Sequence, residues 1–390
     1  MRTKKWWSAA AALLTAAAAL GLAAGLAGCG PDVQASTAKL PAIPAGLDAP
    51  VYVVIDDVTA HDAAASAARA EAFDAVAQAA WDRGAGLVLV AAGSTPGSMR
   101  TVFSTVAVAE DVNAEFTKRR RATMTRLMRQ RFKAADAEQT GGSLDVLAVM
   151  REVQAQLRSV GNGEFQVLVM SSGQLRRPID VKAHPQFLAD PEATADELAG
   201  AARLPDLRGW DVAFLSAGDV PAHRAQALGA LWWHVVKAAG GRLTGYQKGL
   251  TSWPLPVMAE PRAPALVRVP AAGDKVVVSV SDRVLFDVDQ SALRADAAPV
   301  IGQLADLLLS EYPAAPATIT GFTDATGSAG YNLELSRRRA QAVASALVAQ
   351  GVPSSRLSVA GRGASGFVAS NDTAAGRAAN RRTEVALSLE

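Results

Sequence analysis

Short apolar runs rich in β-branched residues alternate with longer segments of helical spacing along the first two thirds of this chain. Such uniformly apolar runs are typical of strands that are buried on both faces. They lie at 51–55, 86–90, 166–170 and 211–215, and a further strand is predicted at 101–108. Segments of helical spacing lie at 62–83, 112–135, 144–157 and 223–239. Strands that alternate with helices indicate a doubly wound sheet covered by helices on both sides. The sequence therefore predicts an α/β fold.

Composition supports folded domains and limits the chemistry. Half of the 390 residues are hydrophobic and 19% are charged, a balance typical of a chain that buries cores. The single cysteine excludes an intrachain disulfide and a multi-thiolate metal site. No nucleophile elbow, catalytic triad spacing or phosphate-binding glycine loop is evident, so the sequence does not predict an enzyme, and it implies no cofactor.

The first 28 residues have the plan of a secretory signal peptide. Arg2, Lys4 and Lys5 precede an uncharged stretch at 6–28. The stretch ends in Leu-Ala-Gly followed by Cys29, which resembles the lipobox of bacterial lipoproteins. That resemblance implies cleavage before Cys29, a diacylglycerol on its thiol and an acylated, for example palmitoylated, N-terminus. A plain transmembrane anchor is the alternative, because the apolar stretch is long enough to span a bilayer.

Removal of the leader lowers the formal net charge from +2 to −1, because it takes away three basic residues. A slightly acidic extracytoplasmic protein is not expected to bind nucleic acid. Proline-rich composition then marks a tether after Cys29 and a linker in the second half of the chain. The predicted divisions are a signal peptide at 1–28, a tether at 29–50, an α/β domain at 51–252, a linker at 253–273 and a second domain at 274–390.

The predicted strand ends of the 51–252 domain resemble those of a von Willebrand factor A-like domain. Members of that family often hold a divalent ion through Asp-x-Ser-x-Ser, a distant Thr and a distant Asp. In this chain Asp57 is followed by Thr59 and His61, Ser143 takes the place of the distant Thr, and Ser171-Ser172-Gly173 lacks the aspartate. This set is short of the oxygens that a hard cation needs, so we expect no bound metal. Asp57 and Thr59 are instead expected to cap the following helix.

A basic amphipathic helix is predicted at 116–135. It has eight Lys and Arg residues and no acidic residue, together with an apolar stripe that includes Met124, Leu127, Met128 and Phe132. Such a face is suited to anionic lipid headgroups or anionic wall polymers. The alternative is an ordinary solvated face paired with acidic side chains elsewhere in the fold.

The last third of the chain carries several ordered motifs. Strands are predicted at 275–286, 317–321, 356–360 and 383–389, and helices at 292–309 and 332–350. The motifs are GFTDATGSAGYNLELSRRRA at 321–340, Asn-Asp-Thr at 371–373 and GRAANRRTE at 376–384. Together they resemble the OmpA-like (OmpA/MotB C-terminal) peptidoglycan-binding domain.

That resemblance implies a site for the diaminopimelate of the peptidoglycan stem peptide. Asp324 is expected to receive the ammonium group and Arg339 to hold the carboxylate, which suits a ligand with both charges on one carbon. The residues implied to complete the site are Thr326, Gly327, Asn332 and Asp289. Both charged residues are expected to lie outside the core. The alternative for Asp324 and Arg339 is a simple salt bridge at the start of a helix.

The sequence as a whole predicts a lipoprotein of the cell envelope, on the outer membrane or the outer face of the cell membrane. It would link that membrane to peptidoglycan without catalysis, and the 51–252 domain would bind a ligand or an envelope protein partner. Two alternatives remain open for that domain: a metal-dependent adhesion or sensing module, and an enzyme that acts on wall polymers.

Overall fold

The computed structural model describes residues 40–44, 47–59, 63–94, 98–107, 114–138, 141–158, 160, 163–175, 179–216, 220, 222–250, 252–260, 266–269 and 275–389. The predicted signal peptide, Cys29 and His61 lie outside the described residues. By their contacts, residues 40–390 group into one compact unit, apart from residues 1–39. In the described ranges, no helix combines the length and apolar character needed to cross a bilayer.

The first sheet has six strands in the order β3-β2-β1-β4-β5-β6. These strands are β1 (Val51–Asp57), β2 (Gly86–Ala92), β3 (Arg100–Val106), β4 (Phe165–Met170), β5 (Trp210–Leu215) and β6 (Arg242–Gln247). The edge strand β3 is antiparallel to β2, and the other pairs are parallel. This order is that of a doubly wound α/β sheet. The strands from β1 to β3 are added towards one edge, and those from β4 to β6 are added towards the other. The predicted α/β class is confirmed, and the von Willebrand resemblance stays a prediction.

Alternate residues of β1 face two separate hydrophobic cores, as the two-residue period of a strand requires. Val53 and Ile55 pack against α3 (Val146–Leu157), α4 (Pro191–Gly200) and α5 (Ala222–Ala238). On the other face, Tyr52 and Val54 pack against α1 (Ala63–Arg83) and α2 (Ala114–Ala137). Both faces of the sheet are therefore covered by helices.

The second sheet has five strands in the order β10-β9-β11-β8-β7. These strands are β7 (Val267–Val269), β8 (Lys275–Ser281), β9 (Ala317–Phe322), β10 (Leu357–Gly361) and β11 (Arg382–Ser388). Only β9 and β10 pair in parallel; the other pairs are antiparallel. Two helices, α7 (Ala298–Asp306) and α8 (Ala329–Ala349), share a core with this sheet. The short helices α6 (Asp282–Leu285) and α9 (Ala374–Asn380) complete the domain.

The strand predicted at 275–286 is wrong at its end. Strand β8 stops at Ser281, which lies opposite Arg382, the first residue of β11. One further hydrogen bond, from the N–H of Asp282 to the carbonyl of Arg381 at 3.0 Å, follows that pair. The backbone then turns into α6, where the N–H of Phe286 donates to the carbonyl of Asp282 at 2.7 Å. Strand β6, strand β7 and helices α4, α6 and α9 were not predicted.

The proline-rich segment predicted as a linker packs at both of its described ends. Trp253 is buried against the first sheet, with its ring centroid 6.4 Å from that of Tyr52. The N–H of Met258 donates to the carbonyl of Leu243 at 2.8 Å. Strand β7 then pairs with β8 of the second sheet. The predicted domain boundaries themselves stay a prediction.

Candidate functional site

The loop that follows β9 holds the carboxylate of Asp324 in a fixed position. One oxygen, Oδ1, accepts a hydrogen bond from the backbone N–H of Thr326 at 2.8 Å. The other, Oδ2, accepts from Nη1 of Arg381 at 2.5 Å. The side-chain amide of Asn332 donates to the carbonyl of Thr326 at 2.8 Å and closes the loop. Gly327 has a φ of +92°, which an L side chain rarely adopts.

The charge of Asp324 follows from these contacts. Burial acts to raise the pKa of its carboxyl group, but the hydrogen bonds from Arg381 and Thr326 outweigh burial and hold that pKa below its ordinary value. Asp324 is therefore an anion at neutral pH. Each carboxylate oxygen has the capacity to accept a second hydrogen bond, so a ligand ammonium can approach without displacing Arg381.

Arg339 lies on α8 and is buried, with only 6% of its side chain exposed. Its Nη1 donates to Oδ2 of Asp282 at 2.6 Å, and its Nε donates to the carbonyl of Gln290 at 2.8 Å. The guanidinium carbon lies 5.1 Å from the ring centroid of Phe286, within the range of a cation–π contact. Because a guanidinium has five N–H hydrogens, the contacts to described residues leave hydrogens on Nη1 and Nη2 for a ligand carboxylate.

Asp282 is the anion that positions Arg339. Its second oxygen accepts from the hydroxyl of Thr383 at 3.1 Å. Burial raises the pKa of Asp282 to about 6, whereas Arg339 and Thr383 act in the opposite direction. Sequence reasoning missed Asp282 because the residue lies inside the strand predicted at 275–286. The signal in the sequence is a carboxylate that interrupts an otherwise apolar alternation.

Close packing of α8 on the second sheet fixes the distance between loop and helix. A Cβ atom at Gly321 would overlap the carbonyl oxygen of Ser336, so the strand needs glycine where the helix crosses it. The hydroxyl of Ser336 accepts from the N–H of Gly363 at 2.9 Å. Ser328 caps the helix by accepting from the N–H of Tyr331 at 3.3 Å. The helix therefore begins at Ala329, three residues before the predicted start.

The C-terminal motif supports the Asp324 loop. Asn380 is fully buried, and its amide donates to the side-chain oxygen of Asn371 at 3.1 Å. Asn371 in turn accepts from the N–H of Ala325 at 3.0 Å. Arg377 donates to the carbonyl of Asn371 at 2.7 Å. This network connects the terminal motif to the residue beside Asp324.

The structure brings most of the predicted site residues together. Thr326, Gly327 and Asn332 belong to the same loop and first helical turns as Asp324, and Arg339 follows about two turns later. Asp289 is exposed in a loop with a φ of +57°. That loop reaches Arg339 through the carbonyl of Gln290, and a role for the Asp289 carboxylate stays a prediction.

The structure rules out one alternative and one expectation for the charged pair. Asp324 and Arg339 do not form a simple salt bridge, because Asp324 pairs with Arg381 and Arg339 pairs with Asp282. The expectation that both residues lie outside the core is wrong: Asp324 is 8% exposed and Arg339 is 5% exposed. The guanidinium of Arg339 turns inward to the buried Asp282. Arg381 was missed as a partner, although it lies inside the terminal motif.

At the carboxyl ends of β1 and β4, the carboxylate of Asp57 accepts hydrogen bonds from Thr59 and Ser171. Its Oδ1 accepts from the backbone N–H and the hydroxyl of Thr59, at 3.1 and 2.7 Å. Its Oδ2 accepts from the hydroxyl of Ser171 at 2.6 Å. The predicted cap of the following helix involves residues 60–62, which lie outside the described residues.

A buried guanidinium supplies positive charge beside these oxygens. Arg69 of α1 donates to Asp56 and, at 3.1 Å, to Asp136. It also donates to the carbonyls of Asp57 and Met170, at 2.6 and 2.8 Å. In the described part of the chain, His, Cys, Asp and Glu form no group of three or more that is placed to hold a metal ion. The expectation of no metal stays a prediction.

Comparison with known proteins relates the C-terminal part of the chain to a family. Residues 285–381 match the OmpA family. The probable lipoprotein YiaD of Escherichia coli (strain K12) is 40% identical over 122 residues, which cover 31% of this chain and 55% of that protein. The peptidoglycan-associated lipoprotein of Agrobacterium fabrum is 37% identical over 118 residues, or 30% and 66% of the two chains.

A similar solved structure is that of the cell wall anchor of the T6SS from Pseudomonas aeruginosa, with a sequence identity of 31% and a TM-score of 0.30. The match covers 32% of this chain and 89% of the chain in that structure. The chain spans 55% of the length of the E. coli relative and less of several others. The matched family segment contains the Asp324 loop, Arg339 and the terminal motif. Residues 285–381 therefore form an OmpA-like domain at the C-terminal end of the chain.

Proposed function

We propose that this protein binds peptidoglycan non-covalently through the diaminopimelate of the stem peptide and links a membrane to the cell wall. The observation that carries the proposal is the arrangement of Asp324 and Arg339. Each is fixed by its own partner, and both lie in one loop-and-helix unit of an OmpA-like domain. The name of the A. fabrum relative, a peptidoglycan-associated lipoprotein, supports the same function.

The chemistry of the ligand matches the two groups. The free end of diaminopimelate has an ammonium and a carboxylate on the same carbon. Asp324, ionised at neutral pH, would receive the ammonium, and the remaining hydrogens of Arg339 would form a paired contact with the carboxylate. Lysine lacks that carboxylate, so wall material with lysine in its place would leave Arg339 without a ligand group.

The membrane end of the link is the proposed lipid anchor at Cys29. Two or more acyl chains give stable attachment, whereas a single chain gives marginal and reversible attachment. Residues 51–252 would then present a surface to a ligand or an envelope protein partner. A melting-temperature shift with Mg²⁺, Mn²⁺ or Ca²⁺ would favour the alternative of a metal-dependent adhesion module, and turnover of purified wall fragments would favour a wall-acting enzyme.

The test is co-sedimentation of the full chain with purified peptidoglycan. We expect pelleting with the diaminopimelate type and much weaker pelleting with the lysine type. Truncating one member of a buried charge pair costs about 2–5 kcal/mol, so Asp324→Ala and Arg339→Ala should each weaken binding roughly thirtyfold or more. Arg339→Lys should fail nearly as badly, because a point charge does not reproduce the planar fork.

Matched controls are available in the same part of the chain. Arg337→Ala removes an exposed arginine of α8 that pairs only with its neighbour Glu334 among described residues. Asp306→Asn neutralises an exposed carboxylate of α7. Both variants should pellet as the wild type does. Equal pelleting of the wild type and all three site variants would contradict the proposal.

A further inference from the structure

Helix α2 has a basic face whose cations outnumber their ion pairs. The segment 116–135 contains eight Lys and Arg residues and no acidic residue. Three of the eight, Arg119, Arg121 and Arg129, lie within 4 Å of a carboxylate. The other five have no ion-pair partner among the described residues: Lys118, Arg120, Arg126, Arg131 and Lys133. The face therefore keeps a net positive charge.

Three described residues on the apolar side of α2 pack into the fold. Leu127, Met128 and Phe132 are each 5% exposed or less. The ring of Phe132 stacks on that of Phe73 with centroids 4.7 Å apart. Because these three side chains are buried, they are not available to insert into a bilayer. The attraction of this helix to a membrane is therefore argued from its charge.

Several of the cations lie on one side of the helix. Lys118, Arg126, Arg129 and Lys133 line one open surface together with Arg121. Their spacings of three, four, five and eight positions bring them along a common face, because residues three and four apart are neighbours on a helix. With 24 residues, α2 is about 36 Å long, and the stretch from Lys118 to Lys133 takes up about 22 Å of that length. We call the strip of Lys118, Arg121, Arg126, Arg129 and Lys133 the basic strip.

The described chain begins beside the same helix. Leu40 and Pro41 line a small cavity together with Met124 and Met128 of α2. The carbonyl of Pro41 accepts from the N–H of Val106 at 3.3 Å. Cys29 lies eleven positions before Leu40. Whatever conformation those residues adopt, they cannot span more than about 40 Å, which is close to the length of α2.

We propose that the basic strip is a membrane-contact surface that binds anionic lipid headgroups next to the anchor. The choice of a lipid partner rests on the proposed function, because lipidation of Cys29 would keep α2 within reach of the bilayer. Anionic wall polymers have similar charge, but nothing restricts them to this side of the molecule. Each cation close to an anionic bilayer strengthens binding about fivefold, which is about 1 kcal/mol.

The test uses residues 40–390, which group into one compact unit and lack the leader and the anchor. The measurement is co-sedimentation with vesicles of phosphatidylglycerol and phosphatidylcholine, compared with pure phosphatidylcholine. We expect binding to the anionic vesicles only, and we expect it to fall as NaCl is raised from about 0.1 to 0.5 M, because salt screens exposed charges. The triple variant Lys118→Gln, Arg126→Gln, Lys133→Gln should bind about a hundredfold more weakly.

The control variant Lys182→Gln, Lys248→Gln, Lys275→Gln removes the same charge from exposed lysines elsewhere and should bind as the wild type does. Both triple variants should still pellet with peptidoglycan, and Arg339→Ala should still bind vesicles, so failure of this inference is separate from failure of the proposed function. Three outcomes would overturn it: no preference for anionic vesicles, equal losses in both triple variants, or binding to anionic wall polymers without binding to vesicles.

Discussion

At the scale of single residues, Asp282 determines how Arg339 is presented. Burial raises the pKa of this carboxyl group to about 6, even though Arg339 and Thr383 favour its ionised form. The carboxyl group of Asp282 therefore gains or loses its proton at mildly acidic pH. Burial acts to raise the pKa of Asp324, but the hydrogen bonds from Arg381 and Thr326 outweigh it and hold that pKa below its ordinary value. Asp324 therefore stays ionised over the same range.

This difference predicts a pH dependence of binding. As pH falls through about 6, Asp282 takes up a proton and loses the negative charge that positions Arg339. Retention on peptidoglycan should therefore fall. The effect on stability has the opposite sign. A raised acid pKa means that the folded state binds more protons between about pH 4 and 6, so this group lowers the free energy of unfolding as pH rises through that window.

The measurement is pelleting and urea unfolding of the full chain between pH 5 and 7.5, beside Asp282→Asn. The asparagine variant should lose the step near pH 6 in both measurements. A step of the same size in the variant would assign the titration to another group.

A second prediction concerns Arg339→Ala. Removing one partner of a buried ion pair typically destabilises a protein by about 3–5 kcal/mol, because the remaining charge is buried without compensation. We expect a clear loss of stability in urea unfolding at pH 7.5, and a smaller loss near pH 5, where Asp282 is protonated. The double variant Asp282→Asn, Arg339→Gln should recover much of the stability but not the binding. Recovery of binding as well would show that the guanidinium is not needed.

At the scale of elements, the site depends on the short connection between β9 and α8. The loop is closed by a side-chain amide at each side, from Asn332 and Asn371. Its one left-handed position is Gly327. The helix then crosses the strand at Gly321, where only a missing side chain allows so close an approach. The separation of Asp324 and Arg339 is thus a property of backbone geometry.

Gly327→Ala tests that dependence. At a φ of +92° an alanine is strained by about 1–3 kcal/mol, so the loop should shift and peptidoglycan binding should weaken. Gly330→Ala is the matched control, because a Cβ there meets open space within the first turn of α8. Alanine is the better helix former by up to about 1 kcal/mol, so this variant should be slightly more stable and bind normally. Unchanged binding in Gly327→Ala would show that the loop tolerates the shift.

At the scale of the whole molecule, the two sheets make contact through charged side chains. Arg283 of α6 donates to Asp190 at 3.2 Å and to Glu192 at 2.5 Å, at the start of α4. Val267 of β7 also packs into a core of the first sheet. Ion pairs and apolar packing therefore both join elements of the second sheet to those of the first.

The proposed attachment to the membrane predicts the behaviour of the mature protein in cells. It should incorporate labelled fatty acid and partition into the detergent phase, because two or more acyl chains anchor stably. Cys29→Ser should lose the label. Labelling of the serine variant at the wild-type level would contradict the lipobox assignment, whatever the result of the peptidoglycan experiments.

The sequence by itself determined the features that depend on local pattern. The central strands of the first sheet are apolar throughout because both faces are covered, so their class was readable from composition alone. The stretch 321–340 and the terminal motif identified the OmpA-like domain without coordinates, because its loop chemistry is written in consecutive residues. The lone cysteine after the leader gave the anchor hypothesis in the same way.

Only the tertiary structure decided which groups face one another. Asp282 and Arg339 are 57 positions apart, and so are Asp324 and Arg381. Their pairing depends on where β8 ends opposite β11 and on how closely α8 crosses β9. Those features are set by strand register and packing across the core, and no local pattern specifies them. For the same physical reason, the burial of Arg339 was not visible in its sequence position.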